Sequence, residues 1–425
     1  MFSSLGYHTF AISMNLTQAE ADMLFRDFKK YRDRTQEIYI KECPKYKADP
    51  MGRHYEIKYL EEYKGIYWKM RFSNKAHNVN GKFVTCSIKA IINPKILAGE
   101  KSYIIAADAG YLEKIERIFN KEAAKISRML KRFDNYSLSR LDYCINFDVS
   151  ELKFNCPSEL TEKIPEIMMK LIKYGDIPDD FSEEYKDPFQ FYLKSKSIVI
   201  NCYWKYDDLK NNYPDCNDLE KSYDIIRFEV QYRYPKVRTV MAEIKKEYAS
   251  IRSGIIARLD EQGSYDSYVN PDRLDRLKLK QSVELLDTSA SEERVIMMYM
   301  LSDDKCAEVI KNYFNKTIKP GSYYTFNRAK RIIEDKVSKW EKIIRLTETM
   351  KLICSSGGIA TAKAGLYGRD LDDFRRSLRD LADLGINPVT IPEEWGIKYI
   401  PNLLDAYCDE IAKEQAEEWA RRINE

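Results

Sequence analysis

Three short segments with the two-residue alternation of β-strands carry polar side chains that can do chemistry. The opposite face of each segment is apolar, so the three strands are expected to share a sheet whose apolar faces pack against helices. The polar faces hold Arg140, Asp142, Cys144, Asn146 and Asp148 in residues 139–149; Asn201, Tyr203 and Lys205 in residues 197–209; and Arg227, Glu229, Gln231 and Arg233 in residues 224–234.

The shared polar face predicts an oxygen-rich site. It gathers three carboxylates with a tyrosine and a lysine: Asp142, Asp148, Glu229, Tyr203 and Lys205. Neighbouring carboxylates repel each other unless they are protonated or bridged by a cation, and an oxygen-only ligand set suits Mg²⁺ or Mn²⁺. Such an ion clamps a phosphodiester and polarises it toward attack.

Tyr203 needs help to act as a nucleophile, because a tyrosine hydroxyl ordinarily has a pKa near 10. Lys205 lies two residues further on the same face, where its charge would lower that pKa or hold a phosphate oxygen. Tyr206 is the rival nucleophile, but its parity places it with the apolar residues Trp204 and Cys202. The alternative interpretation is a solvated polar face whose charges pair across strands.

The order of these three motifs resembles the replication-initiation-factor (Rep-trans) family, which initiates rolling-circle replication of plasmids and related mobile elements. The motifs are RLDYCIN (140–146), INCYWK (200–205) and RFEVQ (227–231), and the match covers residues 137–235. The resemblance implies that Tyr203 cuts one origin strand, stays attached to the 5′-phosphate and later rejoins the strand. It also implies that Asp142 and Glu229 are metal ligands.

The sequence departs from the family pattern at Asn146, where a second acid is usual. Asn146 coordinates a cation only through its neutral carbonyl, and Asp148 is the candidate substitute on the same face. Without either ligand, a non-catalytic DNA-binding or regulatory protein that retains the fold becomes the alternative. A metal nuclease that uses water as the nucleophile is a third reading, and a transfer relaxase or transposase shares the leading chemistry.

The fold class expected from the pattern of elements is α+β, with a mainly antiparallel sheet, helices on one face and two similar halves. The 425-residue chain is long enough for two or three domains. After Pro235 the pattern becomes helical, so we predict a nicking and joining domain over residues 1–250 and a helical domain that binds DNA or a partner over residues 251–425.

Contacts with origin DNA, single- and double-stranded, must come from local basic stripes, because the net charge of the chain is only +3. Arg140 and Arg227 lie beside the predicted site. Arg375, Arg376 and Arg379 flank an apolar helical stripe that is a candidate for insertion into a DNA groove. The resemblance also implies a host helicase as a partner, while the oligomeric state is not indicated.

Composition excludes several other classes. Apolar content of 44% and charged content of 32% are typical of a globular protein, and no window approaches the length of a membrane span. The N-terminal residues lack the pattern of a signal peptide, so a cytoplasmic location is expected. Nine cysteines without C-x-x-C spacing and three histidines argue against zinc or a disulfide framework.

Overall fold

The structure is a computed structural model of the chain. It describes residues 5–44, 52–60, 64–79, 82–100, 102–108, 110–130, 132–184, 187–247 and 292–408. The helical sequence pattern after Pro235 also predicts a helix near residues 271–286, and these residues lie outside the described ones.

Ten of the described strands form one sheet, in the order β2-β3-β4-β5-β1-β6-β10-β9-β8-β7. The pairs whose register is described run antiparallel. The bounds are β1 Gly6–Leu16, β2 Ile38–Glu42, β3 Arg53–Tyr59, β4 Ile66–Val79, β5 Lys82–Ile92, β6 Ser137–Asp148, β7 Ser182–Glu183, β8 Gln190–Lys194, β9 Ile198–Trp204 and β10 Ile225–Tyr232.

The sheet consists of two halves with the same topology. Each half begins with its innermost strand, β1 or β6, passes through a helix to its outermost strand, β2 or β7, and returns strand by strand to the centre. The predicted α+β class and the two similar halves are therefore confirmed. The two halves do not repeat each other's sequence over their whole length. Their similarity was predicted from the order of strands and helices.

Helices lie within both halves and after each of them. The described bounds are α1 Gln18–Thr35, α2 Pro94–Leu97, α3 Tyr111–Ile126, α4 Ile164–Lys173, α5 Lys205–Asn212, α6 over residues 234–247, α7 Glu292–Met300, α8 Asp303–Thr317, α9 Phe326–Lys336, α10 Trp340–Ser356, α11 Ile359–Ala364 and α12 Gly368–Asp383. None of the helices in the described ranges combines the length and the apolar content that crossing a membrane requires.

Two compact units divide the described chain. Unit 1 contains residues 144–230 and the described residues from 308 onward, and unit 2 contains residues 5–143 and the described residues of 231–307. The chain therefore passes between the units within β6, β10 and α8. These boundaries differ from the predicted division at residue 250, and the assignment of separate functions to the two predicted domains stays a prediction.

Unit 2 has an aromatic core between its strands and helices α1 and α3. The ring of Trp68 on β4 lies 6.0 Å from the ring of Phe28 on α1 and 5.5 Å from the ring of Phe119 on α3, measured between centroids. Helix α1 begins with a capping box in which Thr17 and Glu20 bind each other's backbone N–H groups. This core fixes which face of β1–β5 is covered by helices.

Unit 1 is centred on Phe314 of α8. Its ring lies 5.7 Å from the ring of Phe147 on β6 and 5.3 Å from that of Phe228 on β10. The apolar face predicted for these two strands therefore packs against a helix. The polar residues of alternate parity must lie on the opposite face.

The C-terminal region is not purely helical. It contains a three-stranded sheet in which β11 (Ser322–Thr325) lies between β12 (Ile386–Ile391), to which it is parallel, and β13 (Tyr399–Ile400), to which it is antiparallel. Helices α9, α10 and α12 bury residues against this sheet, including Ile333, Met350 and Leu381. The expectation of a helical domain thus missed short strands, because six or fewer residues between long helical patterns give a weak signal.

We expect Phe314→Ala to lower the free energy of unfolding of unit 1 by about 3–5 kcal/mol, because the substitution leaves a cavity between α8 and the face of β6 and β10. The measurement is the urea midpoint followed by tryptophan fluorescence. Tyr367→Ala is the control, since the Tyr367 side chain is 79% exposed and its loss should change the midpoint little. Equal midpoints for Phe314→Ala and wild type would contradict the packing described above.

Candidate functional site

The predicted tyrosine and one predicted acid are hydrogen-bonded to each other. The hydroxyl of Tyr203 on β9 donates to Oε1 of Glu229 on β10, 2.9 Å away. The two strands are neighbours in the sheet, and both residues belong to unit 1. Tyr203 is 8% exposed, and the side chain of Glu229 is 18% exposed. The polar face at this point is therefore largely covered rather than solvated.

Arg227 supplies a buried positive charge beside this pair. Its side chain is fully buried, its Nε donates to Oδ1 of Asn146 at 2.6 Å, and its Nη1 lies 3.6 Å from Oε1 of Glu229. A buried guanidinium requires acceptors and a counter-charge, and here β6 and β10 provide them. Asn146 thus serves Arg227 in this conformation.

The surroundings of Tyr203 favour the neutral phenol. Burial, followed by the negative charge of Glu229, raises the pKa of Tyr203 well above its usual value, and the positive charge of Arg227 acts in the opposite direction. The hydroxyl proton therefore stays on Tyr203 at rest. Any attack by its oxygen requires that the proton pass to an acceptor, and Glu229 already holds that position.

Lys205 is not part of the strand, contrary to the prediction that placed it on the strand face of Tyr203. It is the first residue of α5, and its Nζ donates to Oδ2 of Asp208 at 2.6 Å while lying 5.6 Å from the centre of the Tyr203 ring. Burial and the charge of Arg227 lower the pKa of Lys205. Asp207 and Asp208 in the first turn were the missed signal, since acids are favoured at helix N-termini.

The predicted metal ligands are held by other partners. Both carboxylate oxygens of Asp142, in unit 2, accept from Arg140, at 2.9 Å from its Nε and 2.5 Å from its Nη2. Asp148 accepts from the backbone and side chain of Ser150. Within the described residues no group of three or more His, Cys, Asp or Glu side chains is placed to hold a metal ion.

In this conformation the predicted ligands Asp142 and Asn146 accept hydrogen bonds from arginines, so they are not available to a metal ion. Asp142 and Asn146 would each have to leave an arginine before they could bind a cation, and a neutral carbonyl is the weaker ligand of the two. The requirement for Mg²⁺ or Mn²⁺ stays a prediction. No catalytic step below is assigned to a metal ion.

The arginines predicted to contact DNA fall into different surroundings. Arg140 is one-third exposed beside Asp142, and Arg227 is buried. On α12, Arg376 pairs with Asp373 of the same helix, whereas Arg375 pairs with Asp179. The apolar stripe of that helix is packed against the C-terminal sheet, as expected of the amphipathic pattern.

Arg375 and Arg379 line a cleft of about 630 Å³ in unit 1. Lys319 and Lys363 also line it, and both donate to the carboxylate of Asp176, at 2.8 and 2.7 Å. The charges of the cleft are thus mixed and largely paired. Insertion of α12 into a DNA groove stays a prediction.

Tyr206, the rival nucleophile, lies in an aromatic cluster. Its ring is 5.4 Å from that of Trp204 and 5.1 Å from that of Tyr223. No carboxylate hydrogen bond to its hydroxyl is present among the described residues. Tyr203 is therefore the tyrosine of this segment with an acid as its partner.

Comparisons with protein-family models, with curated proteins and with solved structures found no match.

We expect Asn146→Leu to destabilise the protein by about 1–3 kcal/mol, because leucine has a similar volume but cannot accept the hydrogen bond from the buried guanidinium of Arg227. Asn146→Asp is the matched variant. Its carboxylate accepts the same bond, and Arg227 compensates its charge, so most of the stability should remain. Urea unfolding of both variants checks the expectation; an unchanged midpoint for Asn146→Leu would contradict the importance of this bond.

Proposed function

We propose that this protein is a replication initiator that nicks one strand of origin DNA through Tyr203 and later rejoins it. The observation that carries the proposal is the 2.9 Å hydrogen bond from the Tyr203 hydroxyl to Glu229. The order of the motifs RLDYCIN, INCYWK and RFEVQ, with its resemblance to Rep-trans initiators, supplies the substrate class. The proposal also includes a cytoplasmic location. Its proposed partners are origin DNA, single- and double-stranded, and a host helicase.

Glu229 is the general base in the proposed reaction. It takes the phenolic proton as the Tyr203 oxygen attacks the phosphorus atom of the phosphodiester. The bond from phosphorus to the 3′-oxygen breaks, and that oxygen leaves as a 3′-hydroxyl after taking a proton from protonated Glu229. The product is a 5′-phosphotyrosine, and attack by the 3′-hydroxyl reverses the step, so the strand is rejoined without an external energy source.

DNA must reach a phenol that is only 8% exposed. Side chains around Tyr203 therefore have to move when DNA binds, and this movement is part of the proposal. Arg227 is held by its hydrogen bond to Asn146 and forms an ion pair with Glu229 at 3.6 Å, which keeps a positive charge beside the base. The Nζ of Lys205 lies 5.6 Å from the centre of the Tyr203 ring. Once this Nζ leaves Asp208, it is the candidate to hold a phosphate oxygen.

A second candidate function is non-catalytic DNA binding by a protein that retains the fold. The observation that favours it is the pairing of both Asp142 oxygens with Arg140 and of the Asn146 carbonyl with Arg227. Such contacts stabilise a structure without requiring chemistry. Salt-dependent DNA binding by wild type, without cleavage or adduct, would support this second function.

We expect Tyr203→Phe to abolish the covalent protein–DNA adduct, because the nucleophilic oxygen is lost while the ring still packs. The assay incubates full-length protein with labelled single-stranded origin DNA and Mn²⁺ and resolves the adduct on a denaturing gel. Tyr206→Phe removes a neighbouring hydroxyl and is the matched control, which should form the adduct normally. An adduct that survives in Tyr203→Phe would exclude Tyr203, and cleavage without any adduct would indicate water as the nucleophile.

Glu229→Gln should slow adduct formation by about 10²–10⁴-fold, because glutamine keeps the shape of the side chain but cannot take the phenolic proton. Single-turnover rates measured over a pH range check this role. Binding of the same oligonucleotide, followed by fluorescence anisotropy, should change little. A rate equal to wild type would assign the proton to another acceptor.

Metal removal tests the remaining part of the proposal. We expect EDTA to suppress adduct formation and added Mn²⁺ or Mg²⁺ to restore it, since the resemblance implies a metal-dependent reaction and a bound divalent ion would offset the charge of a phosphodiester beside Glu229. Calcium is a useful control, because it binds oxygen ligands at longer distances. Undiminished activity in EDTA would remove the metal ion from the mechanism.

A further inference from the structure

The two halves of the sheet carry the same tripeptide at the same topological position. Tyr67-Trp68-Lys69 lies on β4 and Tyr203-Trp204-Lys205 begins on β9, and each of these strands is third from the centre of the sheet in its half. Trp68 is buried against helices, so Tyr67 and Lys69 lie on the opposite face of β4. The surroundings of the two tyrosines differ.

Tyr67 has cations around it rather than an acid. It is opposite Lys58 on β3 and Ile91 on β5 in the strand register, and the ammonium groups of Lys58 and Lys69 lie 5.4 and 5.7 Å from the centre of its ring. Its hydroxyl makes no hydrogen bond to any side chain within the described ranges. No base is therefore placed to activate this second tyrosine.

The face of β2–β5 and β1 that holds Tyr67 is strongly cationic. Its described side chains include one carboxylate, Glu56, against five cations: Lys41, Lys58, Lys69, Arg71 and Lys89. The excess of positive charge on this face exceeds the net charge of +3 of the whole chain. Glu56 pairs with Lys69 at 2.6 Å and with Lys58 at 3.4 Å, so one carboxylate is shared by two of the five cations. An excess of positive charge on one face of a sheet is the footprint of a polyanion site.

Lys89 shows that this charge is not balanced within the protein. It is half-buried and lies directly opposite Lys69 in the register of β4 and β5. Its Nζ has no hydrogen bond or ion pair in the part of the chain that the structure describes. Burial, Arg140 and Lys69 lower the pKa of Lys89, so an anion bound here would relieve repulsion among three cations.

We propose that this face of unit 2 binds the backbone of single-stranded DNA, with Lys69 and Lys89 contacting phosphates and Tyr67 contacting a base without forming a covalent bond. The inference rests on the proposed function for its choice of DNA. Tyr39, 39% exposed on β2, continues the row of Lys58 and Tyr67 and provides a second ring. Accessible rings among cations on a sheet face suit stacked bases of a single strand better than a duplex, whose bases are covered.

The experiment uses full-length Tyr203→Phe protein, so that covalent capture does not contribute, and a fluorescein-labelled oligodeoxythymidylate of about 16 nucleotides, the upper end of common single-strand sites. The test variant adds Lys69→Gln and Lys89→Gln. The matched control adds Lys30→Gln and Lys121→Gln, which remove two exposed lysines of α1 and α3 in the same unit. Affinity is measured by anisotropy across a range of salt concentrations.

We expect the test variant to bind roughly tenfold more weakly and the slope of log affinity against log salt to fall in magnitude by about 1.4, or about 0.7 for each lost phosphate contact. The control should keep the parent slope. Equal slopes for test variant and parent would overturn the proposal, as would tighter binding to duplex DNA or to RNA of the same length. A covalent bond between DNA and Tyr67, formed by wild-type protein without a cross-linking reagent and mapped by mass spectrometry, would overturn the non-covalent role of Tyr67.

The outcomes separate this inference from the proposed function. If wild type forms the Tyr203 adduct but the Lys69→Gln and Lys89→Gln substitutions do not affect binding, the nicking proposal stands. The proposal that this face of unit 2 binds single-stranded DNA is then wrong. If wild type forms no adduct but the salt slope depends on the two lysines, the binding face stands and the nicking proposal fails.

Discussion

The buried guanidinium of Arg227 is the charge on which the rest of the candidate site depends. Its side chain is fully buried, so contacts within the protein must take the place of water: Asn146 accepts from Nε, and Glu229 lies 3.6 Å from Nη1. The same charge acts on the titrating neighbours, opposing the rise in the pKa of Tyr203 and contributing to the lowered pKa of Lys205. Because Glu229 is anchored from one side by Arg227, its oxygen is available at a fixed place for the Tyr203 hydroxyl.

The repeated topology explains how one sheet can present two different polar surfaces. In both halves a tyrosine and a tryptophan are consecutive on the third strand from the centre, so the two rings lie on opposite faces of that strand. The neighbouring strand decides what the tyrosine meets. Tyr203 donates a hydrogen bond to Glu229 on β10, whereas Tyr67 lies opposite Ile91 on β5, with Lys89 two residues before it. Identical local sequence thus acquires opposite electrostatics from its strand partner.

The two-residue period was enough to predict which side chains of β6, β9 and β10 share a face, and the Tyr203–Glu229 contact follows from that parity. Burial could not be predicted in the same way, since parity separates two faces but does not say what covers each of them. Asp142 and Asn146 look alike in the pattern, yet one pairs with an arginine two residues away and the other with Arg227, which is distant in the chain. The second contact depends on strand order, which a single sequence does not specify.

Two local signals would have corrected particular predictions. The acids at Asp207 and Asp208 mark the start of α5, which moves Lys205 from the strand to a helix N-terminus. The Tyr-Trp-Lys tripeptide at residues 67–69, which is repeated at residues 203–205, indicates that the resemblance between the halves extends from the order of elements to particular side chains. Both signals involve few residues, and their meaning becomes clear only when the strands on either side are placed.

Burial of Tyr203 has a consequence for control of the proposed reaction. A neutral, covered phenol does not attack water-borne electrophiles or stray phosphates, because its pKa is high and its oxygen is engaged by Glu229. Approach of a phosphodiester must displace part of that cover, and the free energy for doing so has to come from contacts elsewhere along the strand. A cationic surface that binds DNA without reacting with it is the kind of feature that can supply this energy. Binding and chemistry would then be coupled, with the nucleophile exposed only when a strand is held.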